Sequence, residues 1–113
     1  MSKFDEAVEL YLGEMKKLGI KTDVAMLTKI AKGLGPSIYR ADAAKVSSSD
    51  KTELDRVKKN FLIKKLGMED TPKLDEGIND VIEQIGKSNR NKYRAIFYYL
   101  LVKRFRKSGL YKD

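Results

Sequence analysis

The residues of this chain whose types and spacing suggest chemistry lie between positions 86 and 94. Gly86-Lys87-Ser88 is the tripeptide that closes a nucleotide-binding phosphate loop, and Arg90, Lys92 and Arg94 follow at alternate positions. A phosphate loop also needs an earlier glycine, so that consecutive backbone N–H groups can wrap the phosphates. That place is taken by Val81, inside "NDVIEQI", which reads as the apolar stripe of a helix. No strand and no glycine-rich loop precede the tripeptide, so Gly86 is read as a helix stop.

A simpler anion site survives that test. With Ser88 or Asn89 as its cap, a further helix begins here, and the free N–H groups and partial positive charge of a helix N-terminus favour anions. Lys87, Ser88, Arg90, Lys92 and Arg94 crowd that end, where cations are ordinarily unfavourable. A bound anion or partner would relieve the repulsion. So would Asp75, Glu76, Asp80 and Glu83 of the preceding segment, or plain solvation, which many exposed charges need nothing beyond.

Other chemistry is thin. The chain has no Cys, which excludes disulfides, thiolate nucleophiles and Cys-based zinc sites. It has no His, the commonest general base and metal ligand. A Ser-His-Asp or Cys-His constellation cannot be built, and no catalytic residue, metal ligand or cofactor is assigned. Glu76, Asp80 and Glu83 share a helix face, but without an EF-hand pattern a solvated acidic face is the better reading. "SSSD" (47–50) offers hydroxyls for phosphorylation, yet helix capping already accounts for it.

The formal charge is +8, with pI near 9.6. Residues 1–50 and 51–86 nearly balance, whereas 87–113 carry nine basic groups against Asp113 alone. The whole excess thus lies in the last segment, which raises nucleic-acid binding as an alternative. On a helix beginning near Asn89, however, the basic residues scatter around the axis and gather as collars at its two ends. A duplex would ask for a stripe. Between the collars Ala95–Val102 are uncharged on every side, the mark of a helix packed on most of its surface. Tyr93, Phe97 and Leu100 read as the core seam, and Tyr98 and Tyr99 pack laterally with their hydroxyls at the edge.

The elements that must position these residues are helices. Phe4, Val8, Tyr11, Met15 and Leu18 draw one stripe behind a Ser2 cap, closed by Gly19. Thr22 or Asp23 opens a second helix with Val24, Leu27, Ile30 and Ala31 on one side, ended by "KGLGPS". A short helical turn falls within 36–46. Asp50 and Glu53 have capping-box spacing for a third helix, 51–66, burying Leu54, Val57, Phe61 and Leu62 and stopping at Gly67. Thr71-Pro72 starts a fourth, striped by Leu74, Ile78, Val81, Ile82 and Ile85. The fifth covers 89–108. "MKKLGI" (15–20) and "IKKLGM" (63–68) echo each other, as shared helix C-cap chemistry explains without a duplication.

"LGPSIYRADAAKVSSSDK" (34–51), "FLIKKLG" (61–67) and "KSNRNKYRAIFYYLL" (87–101) resemble a small bacterial family, domain of unknown function 2853, over nearly the whole chain. The resemblance implies a compact helical domain and carries over no functional residue.

One all-α domain over 1–113 is therefore expected, a bundle of about five helices around a central aromatic-rich C-terminal helix. The length suffices for a core without metal or disulfide. No apolar run approaches a membrane span, and "MSKFDEAVEL" lacks the basic and then apolar pattern of a leader, so a cytoplasmic protein is expected. Its expected function is non-catalytic binding or protein interaction, at Lys87, Ser88, Arg90, Lys92 and Arg94. Nucleic-acid association through 87–113 is the alternative, and an enzyme using carboxylates or Lys is disfavoured.

Overall fold

Helices form where capping residues and apolar spacing coincide. In the computed structural model, which describes residues 2–40 and 44–111, Ser2 opens α1 (Lys3–Lys17) by accepting the Asp5 N–H at 3.1 Å. Asp5 and Glu6 sit in its first turn, where the helix dipole favours them. Asp23 caps α2 (Val24–Leu34) through Met26 N–H at 3.2 Å, and a tighter turn, Gly35–Tyr39, follows. Asp50 caps α3 (Lys51–Arg56) by accepting from Thr52 and Glu53. The same rod then runs on through Val57–Ile63 with the wider i→i+5 winding of a π-helix. Pro72 begins α4 (Pro72–Ile85), and Gly86 at φ 109° ends it. The last long element is α5 (Arg94–Arg104), followed by a short turn, Ser108–Tyr111.

Every residue from Ala95 to Val102 is buried, as the uncharged run predicts. α5 packs against α2 and α4 and also meets α1. Around it lie Tyr11 and Met15 of α1, Leu27 and Ile30 of α2, Val57, Phe61 and Leu62 of the π segment, and the whole stripe of α4. Two of the buried tyrosines have partners for their polar ends: the Tyr99 hydroxyl accepts the Asp23 N–H at 2.8 Å, and that of Tyr98 accepts from Arg94 at 3.2 Å. The radius of gyration, 13.1 Å, is that of a compact domain of this length. The fold is all-α, and the described residues contain no strand, only a single antiparallel bridge between Lys45 and Tyr93.

Several boundaries differ from the expectations. α5 begins at Arg94, not at Ser88 or Asn89. The Asn89 amide instead donates to the Ile85 carbonyl at 3.3 Å, and its side-chain oxygen accepts from Asn91 N–H at 2.9 Å, so Asn89 closes a loop. α5 also ends at Arg104 rather than 108. Arg106 adopts φ 57° there, with its N–H on the Lys103 carbonyl and the Lys107 N–H on that of Val102. This is the Schellman closure, built on an arginine where glycine is usual. Val24 is 48% exposed, and Met26 takes its place in the core. Glu53 makes no capping box, because its carboxylate turns to Arg94. Within the turn expected over 36–46, residues 41–43 lie outside the described residues.

Candidate functional site

The loop joining α4 to α5 is built around a lysine. Lys92 is 4% exposed, and its ammonium donates to the Lys87 carbonyl at 2.9 Å and to the Asn89 carbonyl. The chain between 87 and 92 thus wraps its own cation, and burial holds the Lys92 pKa below its ordinary value. The loop is laced to the segment before α3. Val46 N–H donates to the Lys92 carbonyl at 2.7 Å, and Arg94 N–H to that of Ala44 at 2.8 Å. Lys45 donates to Asn91 Oδ1 at 3.1 Å, with its ammonium 5.2 Å from the Tyr93 ring centre.

Arg94 turns the other way. Its guanidinium pairs with Glu53 and donates to the Tyr98 hydroxyl at 3.2 Å, both ions of the pair being 14% exposed. Burial pulls its pKa down, but the Tyr98 hydroxyl and Glu53 carboxylate outweigh that, leaving it raised. The acidic residues of α4 do not supply this balance. Asp75 faces Lys58 at 3.4 Å, and Asp80 faces Arg104 at 2.9 Å. The described residues hold no acidic cluster arranged to bind a metal.

The five residues singled out from the sequence therefore divide. Lys92 and Arg94 are consumed in holding the loop and the start of α5. Lys87, Ser88 and Arg90 remain on an open hollow of about 510 Å³ between the two laced segments. The opposite wall is Lys45 and Ser47–Ser49, which lie some 40 positions earlier in the chain and share no helical spacing with the other wall. Lys45, Lys87 and Arg90 are exposed, and among the described residues no carboxylate lines the hollow. A larger hollow of about 610 Å³ lies beside the end of α5, but its lining mixes Glu69 and Glu76 with Lys73, Arg104 and Lys107. Opposed charges there can offset each other without a ligand.

No helix among the described residues is long and apolar enough to cross a membrane. A family model described as "Protein of unknown function (DUF2853)" matches residues 10–109, a span that contains both walls of the basic hollow. No curated protein matches the chain.

Proposed function

The chain belongs to the DUF2853 family, whose description names no activity, and from that premise we propose that it is a non-catalytic binding module for a phosphate-bearing ligand. The observation that carries this reading is the lining of the hollow between 45–49 and 87–92. Lys45, Lys87 and Arg90 line it together with Ser47, Ser48, Ser49 and Ser88, and no carboxylate of the described residues is among them. Neighbouring cations repel one another, and an anion seated among them gains charge-assisted hydrogen bonds and removes that cost. Lys92 and Arg94 act as positioning residues, since their charged ends are turned into the protein fabric.

Titration of the protein with pyrophosphate and with a phosphoserine peptide at low salt tests the proposal. Saturable amide shifts are expected at Ser47–Ser49 and Lys87–Arg90. The double variant Lys87→Ala/Arg90→Ala should weaken binding by about tenfold or more while thermal stability holds, these being exposed hydrogen-bonding charges. Absence of saturable shifts, or undiminished binding by the variant, refutes it. The polynucleotide alternative needs the second collar, Lys103, Arg106 and Lys107, at the far end of the buried α5. Binding to duplex DNA that falls steeply with salt and is lost on neutralising that collar would replace the phosphate reading with it.

A further inference from the structure

A groove of about 330 Å³ runs between the first turns of α1 and α2. Phe4 and Val8 line it from α1, and Val24 and Thr28 from α2. Asp5 and Glu9 complete the lining, one position along from Phe4 and Val8 at the same i, i+4 spacing, so an acidic row runs beside an apolar one. Val24 is 48% exposed, an apolar side chain left open at the first position of α2. A second apolar side chain stands out from the turn Ser108–Tyr111, where Leu110 is 58% exposed. That turn is held in place. The Leu110 N–H donates to the Lys107 carbonyl at 3.0 Å, the Tyr111 ring packs against the core, and the Tyr111 carbonyl accepts from Lys29 at 2.9 Å. The two features are opposite in charge in the sequence itself. Residues 1–9 hold Asp5, Glu6 and Glu9 against Lys3, whereas residues 103–113 hold Lys103, Arg104, Arg106, Lys107 and Lys112 against Asp113. Arg104 is engaged by Asp80, which makes Arg106 and Lys107 the basic neighbours of the leucine.

We propose that this groove receives the turn Ser108–Tyr111 of a second copy of the chain, with Leu110 seated on Phe4, Val8 and Val24 and with Arg106 and Lys107 toward Asp5 and Glu9. Each surface supplies what the other lacks. Apolar burial at the centre gives the affinity, and opposite charges at the rim fix the orientation and disfavour wrong dockings. A turn already fastened to α2 loses little freedom when it docks. A cavity of about 150 Å³ accommodates benzene, so the groove has room for one leucine side chain and the backbone beside it. A contact centred on a single leucine is smaller than a standard interface of about 800 Å² per partner, so the association is weak and concentration-dependent. Groove and turn are different surfaces, and a copy that has lost one can still use the other. The basic hollow contributes no residue to this contact.

Sedimentation velocity of the full chain, from about 10 μM to about 1 mM in about 50 mM salt, should show reversible association with a Kd on the order of 0.1–1 mM. Raising the salt to about 500 mM should weaken it about threefold or more, because exposed opposite charges are screened. Val24→Asp and Leu110→Asp should each weaken it at least about tenfold, since each places a charge at the centre of the contact. Their melting temperatures should stay near that of the parent, both positions being exposed. Mixed in equal amounts, the two variants should associate again, the intact groove of the Leu110→Asp protein taking the intact turn of the Val24→Asp protein. Tyr39→Asp, at an exposed site outside groove and turn, should change nothing. A chain that stays monomeric at about 1 mM, association undiminished by either variant, or a mixture as inert as its components overturns the proposal. So does a loss on Tyr39→Asp equal to that on Val24→Asp.

Discussion

Substituting Gly77 by alanine should destabilise this protein, the reverse of what the same change does in most helix interiors. There, glycine to alanine gains about 0.5–1 kcal/mol, because alanine has less backbone freedom to lose. Gly77 lies buried in α4 beneath the ring of Phe105, and an added Cβ would stand 2.1 Å from Cζ, 2.7 Å from Cε2 and 3.0 Å from Cε1. Ordinary carbon contacts are about 3.5–4.0 Å, so the ring must withdraw by roughly 1.5 Å. Its freedom to do so is limited, since Phe105 follows α5 directly and the next residues are tied back to Val102 and Lys103. Overpacking of this kind costs about 1–3 kcal/mol, leaving a net loss of about 0.5–2 kcal/mol after the helix gain. At about 4 °C per kcal/mol for a domain this size, the melting temperature should fall by about 2–8 °C. The assay is a cycle of urea and thermal unfolding on the parent, Gly77→Ala, Phe105→Ala and the double variant. With Phe105 removed, Gly77→Ala should become stabilising. A rise in melting temperature in the parent background, or a coupling within about 0.5 kcal/mol of zero, refutes the reasoning.

Arg106→Gly should stabilise by about 0.5–1 kcal/mol in urea unfolding, since the left-handed backbone at φ 57° costs an arginine more than the glycine's added freedom does. Glu53→Gln should destabilise by about 1–3 kcal/mol, because Arg94 keeps its charge in a site only 14% exposed; adding Arg94→Met should recover part of the loss. Burial pushes the Tyr11 pKa up to about 12 from 10.0. A raised tyrosine pKa gives stability that is complete below pH 10 and lost as pH rises through 12, so the parent should weaken relative to Tyr11→Phe across that window by about 2 kcal/mol. Lys92, whose pKa burial lowers, drives stability the opposite way with rising pH, but it is present in both proteins and cancels. Absorbance titration should show one tyrosine ionising near pH 12 in the parent that is absent from the variant.

The sequence made α1, α2 and α4 legible almost to the residue, because their caps and apolar stripes are local. Ser2, Asp23 and Pro72 sit where the rules put them, and all five stripe residues of α4 are buried. The start of α5 was not legible. Asn89 has the right type to cap a helix but is drawn into a loop by the Ile85 carbonyl and by a lysine that folds inward. The π winding is hidden because Val57, Phe61 and Leu62 satisfy an α-helical stripe equally well. The early end of α5 is hidden because a left-handed arginine carries no compositional mark. At the candidate site, residue type identified the cations on one wall. Their facing wall depends on the pairing of Lys45 with Tyr93 across the chain, which no periodicity announces.

The hydroxyl of Tyr99 has a consequence for how the molecule is made. It accepts the N–H at the start of α2 from 76 positions further along, while Arg94 reaches Glu53 across 41 and Tyr111 reaches Lys29 across 82. On a ribosome, the first four helices emerge with an apolar surface shaped for an element that has yet to be translated. Contacts of such sequence separation close late and slowly, and apolar faces left waiting are the ones that aggregate. The C-terminal segment is thus the keystone of synthesis as well as of packing, and the growing chain is at its most vulnerable just before that segment arrives.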